Sequence, residues 1–312
     1  MKQNNPFEKS LANKRYYTWD YHLKEKFGGK VFKVSLDGGF SCPNIDGTKG
    51  SGGCTYCAYS FKRQTPNDLL TQFKEGIDAL HKKWPDADKY IPYFQANTNT
   101  YAPLEELKAK YETVLAEDGV VGLSIATRAD ALPDDVLDYL CELNKKTYLI
   151  VELGLQSIHD VTAKRINRGH DYNCFLEGIK KLNDRNIPVC VHIINGLPGE
   201  SYDMMIETVK EVSKLNIHCI KIHLLHIIKG TKMAEEFERG EFKEMTLDDY
   251  VKIVCDQLEL LPPDVVVQRV TGDGLKDSLI APLWSLKKFV VMNEIDKELQ
   301  RRNSYQGKCY KK

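Results

Sequence analysis

From residue 31 onward, short apolar segments alternate with longer amphipathic ones. Six segments are predicted as strands, over 31–36, 90–94, 120–127, 147–155, 187–196 and 217–226. Helical patterns follow or separate them, over 69–84, 104–118, 133–144, 158–166, 172–184, 201–215 and 246–261. The strands are continuous apolar runs, which is typical of parallel strands buried on both faces. Six successive βα units predict a right-handed α/β architecture, either a barrel or an open sheet.

The flanks of this pattern are short. A further apolar segment at 265–270 and a helix at about 285–302 follow the sixth unit, and no linker composition divides the chain. We therefore expect an N-terminal extension over 1–30, a core over 31–270 and a C-terminal helical tail over 271–312 packed on that core. A chain of 312 residues, 42% of them hydrophobic, is long enough for such a core.

Charge and cysteine content limit the class of protein. Lys plus Arg equals Asp plus Glu at 44 each, so a globally basic nucleic-acid binder is not indicated. No apolar run approaches the ~20 residues of a spanning helix, and the N-terminus lacks an apolar signal core. We expect a cytoplasmic protein without membrane association. The odd count of nine cysteines fits reduced thiols better than a secreted disulfide framework.

Three cysteines are clustered in a glycine-rich loop directly after the first predicted strand. They are Cys42, Cys54 and Cys57, within SCPNIDGTKGSGGCTYC. The loop follows a strand end, which is where α/β folds place their sites. Three thiolates can hold a four-iron cluster and leave one iron open. The alternative is a structural zinc loop, for which His22 or His81 could complete the ligand set.

This loop resembles that of the radical S-adenosylmethionine (SAM) superfamily. Members carry three cysteines after the first barrel strand, with an aromatic residue before the last, as Tyr56 stands here. Eleven residues separate Cys42 from Cys54 where three are common, and longer spacings mark branches such as the Elongator catalytic-subunit type. In overall order the chain is similar to the YhcC-like family. The resemblance implies a partial (βα)6 TIM-like barrel with short N- and C-terminal extensions.

The resemblance also implies cofactors and chemistry. Cys42, Cys54 and Cys57 would hold a [4Fe-4S] cluster, and SAM would chelate its open iron. A low-potential electron donor, such as flavodoxin or ferredoxin, would supply the electron that cleaves SAM. The resulting 5′-deoxyadenosyl radical abstracts hydrogen from an unactivated C–H bond. The cofactor supplies that step, and the protein supplies orientation and shielding.

Several strand ends match the family's SAM-binding positions. The fourth strand gives Glu152 and Gln156, then Arg168, in a block similar to the Elongator and coproporphyrinogen dehydrogenase branches. The resemblance puts Gln156 near the SAM ribose and Arg168 on its carboxylate, with a structural polar network as the alternative. Gly196 and Pro198, in GLPGE, would lie against the adenine.

The second strand departs from the family pattern. The usual glycine-glycine-glutamate that binds the SAM amino group is absent after it. Gln95 or Asn97 could substitute, or this segment could be an ordinary polar turn.

No residue stands out as a general acid or base, so the catalytic residues stay unassigned. His223 and His226, at the end of the sixth strand, resemble a histidine-rich block of the Elongator branch and are candidates for contact with substrate. Arg128 is the third candidate, either meeting an anion or pairing with Asp130. His192 is interpreted as an ordinary core histidine.

Both chain ends are basic, with eight Lys or Arg against three Asp or Glu in residues 1–33 and again in 280–312. The N-terminal end interleaves cations with aromatic rings, which could hold phosphates and stack bases or form a solvated surface with core aromatics. The residues concerned are Lys14, Arg15, Tyr16, Tyr17 and Trp19, and at the other end Arg301, Arg302, Lys308, Lys311 and Lys312.

Elongator-type enzymes modify the wobble uridine of tRNA, so the resemblance implies tRNA as the partner. The more specific prediction is processing of a carboxymethylaminomethyl arm on that uridine. Two alternatives stay open. One is a radical SAM enzyme acting on a small metabolite such as a tetrapyrrole, and the other is a non-catalytic, zinc-bound RNA-binding protein.

Overall fold

In a computed structural model, which describes residues 5–10, 13–58, 68–274 and 276–311, parallel strands alternate with helices from Phe32 onward. Lys312, one of the basic residues predicted to contact RNA, lies outside the described residues. The strands are β1 (Phe32–Leu36), β2 (Tyr90–Phe94), β3 (Gly122–Thr127), β4 (Tyr148–Gln156), β5 (Val189–Asn195), β6 (Cys219–Leu224), β7 (Ile227–Ile228), β8 (Val266–Arg269) and β9 (Leu279–Ala281).

Ten α-helices lie within the described residues. They are α1 (Trp19–Phe27), α2 (Leu69–His81), α3 (Leu104–Leu115), α4 (Asp134–Asn144), α5 (Asp160–Arg165), α6 (Tyr172–Asp184), α7 (Tyr202–Val212), α8 (Lys232–Glu238), α9 (Leu247–Leu260) and α10 (Lys288–Arg301). A 3-10 turn over Leu283–Leu286 precedes α10. Several helices begin at residues whose side chains accept a bond from the first turn, such as Asp68, Asp171 and Ser201.

Seven strands form one parallel sheet in the order β1-β2-β3-β4-β5-β6-β8. The six predicted strands are all present, and the apolar segment at 265–270 adds a seventh beside β6. The sheet curls into a partial barrel, so that Lys33 on β1 and Gln268 on β8 meet across its interior, with Nζ and Oε1 2.8 Å apart. The predicted partial TIM-like barrel is confirmed, with β7 and β9 forming a separate antiparallel ribbon.

The N-terminal segment closes the amino-terminal end of the barrel. The Val267 amide donates to the carbonyl of Tyr17 at 2.7 Å, and α1 follows directly. Trp19 packs against apolar interior residues at the beginnings of the strands, while Leu23 is 1% exposed. His22 bridges the hydroxyl groups of Tyr17 and Tyr148, each at 2.9 Å. The barrel is therefore sealed at the end opposite the cysteine loop.

The tail packs on the core through α10. Its inner face carries Val291, Ile295 and Leu299, each 0% exposed, and α10 lies along α9. Arg302 pairs with Asp256 of α9 across this contact. The division at 30 and 270 stays a prediction, although both flanks are joined to the barrel. No helix in the described part of the chain is both long and apolar enough to cross a membrane.

Candidate active site

The cysteine loop begins where β1 ends, at the carboxyl end of the barrel. The carbonyl of Cys42 accepts the amides of Ile45 and Asp46, at 2.8 and 3.2 Å, which turns the chain back on itself. The amide of Cys57 donates to the carbonyl of Cys54 at 3.0 Å. That bond closes a turn that presents two thiols from one short segment.

The long segment between Cys42 and Cys54 is hydrogen-bonded to the turn that follows α5. Asn44 Nδ2 donates to the Asn167 carbonyl at 2.6 Å, and Asn167 Nδ2 donates to the Gly53 carbonyl at 2.7 Å. Asn167 has a φ of 52°, a left-handed conformation that asparagine tolerates. A Cβ on Gly169 would lie 2.5 Å from Asn44 Oδ1, so this position admits only glycine without movement. The sequence block Asn-Arg-Gly at 167–169 thus holds the cysteine loop.

The three thiols lie in a shared electrostatic environment. Burial raises the pKa of Cys54, the Arg128 guanidinium opposes that shift, and Cys42 adds to it. Bound metal cations would offset the free-energy cost of placing negatively charged thiolates close together at this position. Among the described residues, no compact set of three sulfur, imidazole or carboxylate donors includes these cysteines, as a tetrahedral zinc ion would require. Three soft donors on one loop fit an iron–sulfur cluster with an open iron.

Two arginines lie beside the loop, Arg128 directly after β3 and Arg168 in the turn after α5. Arg128 forms a bidentate pair with Asp130, at 2.9 and 3.0 Å, and donates to the carbonyl of Arg168 at 2.8 Å. Arg168 is 2% exposed and donates to the carbonyls of Leu155, Ser157 and His170. Its Nη2 is buried and has no hydrogen-bond partner in the described part of the chain. Arg168 thus retains a free donor, whereas Arg128 is paired as one alternative predicted.

The other predicted SAM contacts are distributed around the carboxyl ends of the strands. Gln95 is exposed and accepts from Ser35 Oγ at 3.0 Å, whereas Asn97 donates to the carbonyl of Phe40 at 3.0 Å. Gln156 ends β4 with a φ of 67°. Gly196 and Pro198 line a cavity of about 400 Å³ next to α7.

Inward-facing side chains of the barrel form three tiers, because every second residue of a strand faces the interior. We name the apolar set at the amino ends the base tier: Ile91, Ile150, Cys190, Cys219 and Val266. The floor tier lies above it and is polar: Lys33, Tyr93, Ser124, Glu152, His192, Lys221 and Gln268. The rim tier is at the carboxyl ends: Ser35, Gln95, Ala126, Gly154, Ile194 and His223.

Glu152 is the centre of the floor tier and is 0% exposed. Its carboxylate accepts from Lys33, Lys221 and Ser124, the last at 2.6 Å, and lies 2.7 Å from His192 Nε2. Burial alone would raise the pKa of Glu152, but Lys221 and Lys33 hold it well below its usual range. These partners occupy the carboxylate, so its predicted contact with SAM remains a prediction.

The floor tier also contains a carboxylate, a thiol and an imidazole close enough to share a metal, namely Glu152, Cys190 and His192. Two ammonium groups already pair with this carboxylate, and they would repel a divalent cation. We therefore assign no metal to this group.

The two candidate histidines have different surroundings. The ring of His223 lies 5.3 Å from that of His192 and faces the interior. Burial, followed by His192 and Arg269, lowers the pKa of His223 well below its usual range, so the ring is neutral. His226 lies beneath the turn at 271–274, where a Cβ on Gly272 would come within 3.0 Å of its ring. Its Nε2 is buried without a partner among the described residues.

Sequence reasoning did not single out Lys33, Lys221, Asn44 or Asn167. The lysines had a usable signal, since each is a charged residue inside an apolar strand segment that must find a partner. The asparagines had none, because asparagine is common in glycine-rich turns for purely local reasons.

Comparison with known proteins identifies two adjoining regions. Residues 46–212 match the radical SAM superfamily and residues 217–301 match the radical SAM C-terminal domain. The uncharacterized protein YtqA of Bacillus subtilis is 56% identical over 100% of this chain and 98% of its own length. Protein YhcC of Escherichia coli is 38% identical over 89% of this chain and 90% of its own.

More distant similarities are partial. A tRNA uridine(34) acetyltransferase of Methanocaldococcus infernus is 29% identical over 54% of this chain and 32% of its own length. Among solved structures, the archaeal Elp3 of the same organism superposes with a TM-score of 0.69 at 20% identity, covering 88% of this chain and 64% of that one. At that identity the structural likeness establishes the fold alone.

Proposed function

The chain belongs to the radical SAM superfamily, as a YhcC-like member related to the Elongator catalytic subunit, and from this premise we propose that it modifies the wobble uridine of tRNA. It is an iron–sulfur enzyme that depends on SAM. This membership sets aside the alternative of a non-catalytic zinc module. Which substrate it takes is the subject of the proposal.

Cys42, Cys54 and Cys57 are proposed as the ligands of the [4Fe-4S] cluster. The support is their common position above β1 and the fastening of their loop to Asn167. When bound, the cluster and SAM together supply a radical that removes hydrogen from a C–H bond. The chain's own contribution is to hold the three thiols on one loop at the carboxyl end of the barrel and to orient the substrate below them.

SAM is proposed to lie across the rim tier, between the cysteine loop and the cavity beside Gly196. The unpaired Nη2 of Arg168 suits the carboxylate of SAM, because a guanidinium is always charged. Gln156 and Gln95, at the strand ends, offer amide groups to the polar parts of the molecule. Gly196 and Pro198 offer backbone and ring surface to the adenine.

The observation that carries the substrate assignment is the likeness to a tRNA uridine(34) acetyltransferase. The chain spans only 32% of that relative, so the acetyl transfer in its name is not assigned here. The electron donor is proposed to be a low-potential protein of the flavodoxin or ferredoxin type. The more specific substrate is the carboxymethylaminomethyl arm, whose methylene carbon next to nitrogen suits hydrogen abstraction.

Nucleoside analysis of tRNA tests this function. In a strain lacking the gene, mass spectrometry of total tRNA should show carboxymethylaminomethyluridine accumulating at the expense of its processed form. The wild-type gene should restore the profile. A gene encoding Cys54→Ala should not, whereas Cys174→Ala, which removes a cysteine of α6 outside the proposed ligand set, should restore it.

An unchanged nucleoside profile in the deletion strain would remove the tRNA assignment and favour a small metabolite as substrate. The cluster assignment is tested separately on purified protein. Anaerobic reconstitution should yield about four iron and four sulfide per chain in the wild type and in Cys174→Ala, and much less in Cys54→Ala.

A further inference from the structure

We propose that the floor of the barrel binds a carboxylate of the substrate, with Lys221 of the floor tier and His223 of the rim tier as its donors. This inference rests on the function proposed above and names the chemical group that the interior recognises. The substrate is then an acid, attached through its modified side chain and inserted from the rim. Three features of the interior support this assignment, namely access, charge and unused donors.

The interior is open from the cysteine side and covered at the amino ends of the strands, and a surface cavity of about 420 Å³ along β8 reaches Trp19 and Gln268. At the rim, Ser35 and Gln95 are exposed and Gly154, Ile194 and His223 are partly exposed. In the base tier, the interior residues are 0–1% exposed and covered by Trp19 of α1. Ala126 adds only a methyl group above the floor, whereas the Gln156 amide lies next to Gly154, where its Nε2 would be 2.6 Å from an added Cβ. A substituent that enters from the rim therefore ends at the floor tier.

The floor carries more positive than negative charge. Lys33 and Lys221 both pair with Glu152, which is the sole carboxylate within ion-pair distance of either ammonium group in the described part of the chain. His192 and His223 carry no negative charge that could balance the lysines. Burial, followed by Lys221, lowers the pKa of His192 to about 4, so that its ring is neutral. Two cations facing one anion leave a surplus that an entering anion would neutralise.

Unused hydrogen-bond donors point to the same group. Lys221 Nζ contacts Glu152 and the Tyr93 hydroxyl, the latter at 3.1 Å, which leaves one of its three donors free. The neutral His192 ring gives its single N–H to Glu152 and has no donor left, whereas His223 has no hydrogen-bond partner among the described residues. Lys33 has three acceptors and is saturated. The free donors, on Lys221 and His223, thus both lie on β6.

A carboxylate fits this position better than a phosphodiester. A phosphodiester has a nucleotide on either side and cannot reach the interior ring of a narrow barrel. A terminal carboxylate on a flexible arm can enter between the rim side chains and accept from the Lys221 ammonium and the His223 imidazole. Held there, its neighbouring methylene carbon would lie above the floor, on the side where the cysteine loop stands.

Two anticodon stem-loop RNAs distinguish this idea from general RNA binding. One carries carboxymethylaminomethyluridine at the wobble position, and the other carries methylaminomethyluridine, which lacks the carboxylate. Anaerobic fluorescence anisotropy on the cluster-loaded enzyme gives both affinities. We expect the wild type to bind the acid about tenfold or more tightly, because a charge-assisted hydrogen bond contributes that much. Lys221→Met should bring the two affinities together by weakening the acid alone.

Three further variants guard against a structural effect. Lys221→Arg keeps the charge and should keep most of the preference. Lys221→Gln, like Lys221→Met, leaves Lys33 and Glu152 as a matched pair, so that no buried charge is left without a partner, and it should still lose the preference. Lys180→Met alters an exposed lysine of α6 and should behave as the wild type.

The following outcomes would contradict the proposal. If the wild type discriminates and Lys221→Met and Lys221→Gln discriminate equally well, the floor does not bind the carboxylate. If both RNAs weaken together, the lysine is structural and the proposal fails. If Lys221→Met lowers the affinity for SAM while the discrimination between the RNAs stays, the anion that Lys221 binds is the carboxylate of SAM, and the proposal fails. If the wild-type enzyme neither binds nor converts the acidic RNA, the proposed function itself is wrong.

Discussion

Asn167 adopts a φ of 52° and its side-chain amide reaches the carbonyls of Ser51 and Gly53, at 3.0 and 2.7 Å. Its own carbonyl accepts the amide of Asn44. At the scale of single residues, this reciprocal pair ties the cysteine loop to the turn that follows α5. These bonds join protein atoms only, so they support the loop independently of any cluster ligand.

Asn167→Ala should weaken retention of the cluster. The variant loses two bonds to loop carbonyls, together about 1–3 kcal/mol. Iron and sulfide should be released to a chelator several-fold faster than from the wild type, and amide hydrogens over 42–57 should exchange faster. Asn173→Ala, an exposed asparagine of α6, is the matched control. Equal release rates in both variants would contradict the role given to Asn167.

Glu152→Gln should destabilise the fold strongly. It leaves two buried ammonium groups without a counter-charge, a loss of about 3–5 kcal/mol. Denaturant unfolding followed by circular dichroism measures it. Glu142→Gln removes an exposed carboxylate that pairs with Lys145 and should change the free energy of unfolding by less than ~0.5 kcal/mol. Similar stabilities for the two variants would argue against a charged floor.

The site could be predicted from sequence to different depths. Cys42, Cys54 and Cys57 are visible because thiols are rarely clustered by chance, and Arg168 because it stands in a recognisable block. Glu152 was recognised as polar in an apolar strand, but the sequence does not reveal that its partners come from β1, β5 and β6. Side chains that meet across a barrel are far apart along the chain, and only the register of the strands brings them together.

At the scale of elements, α1 is a short helix that covers the amino end of the barrel and so contributes to its stability. Its sequence, WDYHLKEKF, is too polar to stand out, and Leu23 is its single buried residue. The strands were predictable, because buried parallel strands are continuous apolar runs. This helix was not, because its stability comes from covering the base tier and not from its own pattern.

Leu23→Ala should lower the free energy of unfolding by about 2–5 kcal/mol, as expected for a buried leucine that leaves a cavity. The side chain is 1% exposed and packs with Val31 and Ile91. Glu25→Ala on the exposed face of the same helix should have little effect. Thermal melts of the two variants provide the comparison. A neutral Leu23→Ala would show that α1 does not close the barrel.

Two adjacent arginines at the end of α10 should behave differently. Arg302 pairs with Asp256 of α9 and with Glu298, whereas the side chain of Arg301 is 73% exposed and pairs with Glu298 alone. Arg302→Gln should destabilise by about 1–3 kcal/mol, because charged bonds between two helices are lost. Arg301→Gln should cost less than ~1 kcal/mol. Equal melting temperatures would contradict the contact between α9 and α10.

At the scale of the whole molecule, the two basic ends are used to complete the fold. Arg15 is 8% exposed and Tyr16 is 3% exposed, and Trp19 packs at the base of the barrel. Arg302 is engaged in ion pairs with α9. The alternative of ordinary core aromatics thus describes the N-terminal segment. Net charge counted along the chain could not reveal this, because pairing depends on the folded neighbours of each cation.

Stability should fall as the pH is lowered from 7.5 to 5. Burial lowers the pKa of His22 and of His192 to about 4, so the unfolded chain binds these protons more readily than the folded one. The stabilisation is complete above about pH 6.5 and is lost as the pH falls towards 4. Each histidine should contribute about 2 kcal/mol of the decline by pH 5.

Anaerobic urea unfolding at pH 7.5 and at pH 5 measures this decline. His192→Gln keeps a hydrogen-bonding group next to Glu152 but cannot titrate, and it should show a smaller difference between the two pH values. A variant as pH-sensitive as the wild type would show that His192 is not the group responsible.

The alternation of inward and outward side chains has a consequence for the evolution of proteins with this fold. Residues that face the helices stabilise the scaffold, whereas neighbours one position away along the same strands line the chamber. Exchanging a lining residue that takes no part in the ion pairs of Glu152 therefore leaves the scaffold and the thiol loop unaltered. Members of a family with this architecture can therefore change their specificity for acidic, basic or neutral substrates through a few substitutions, while the residues that generate the radical stay the same.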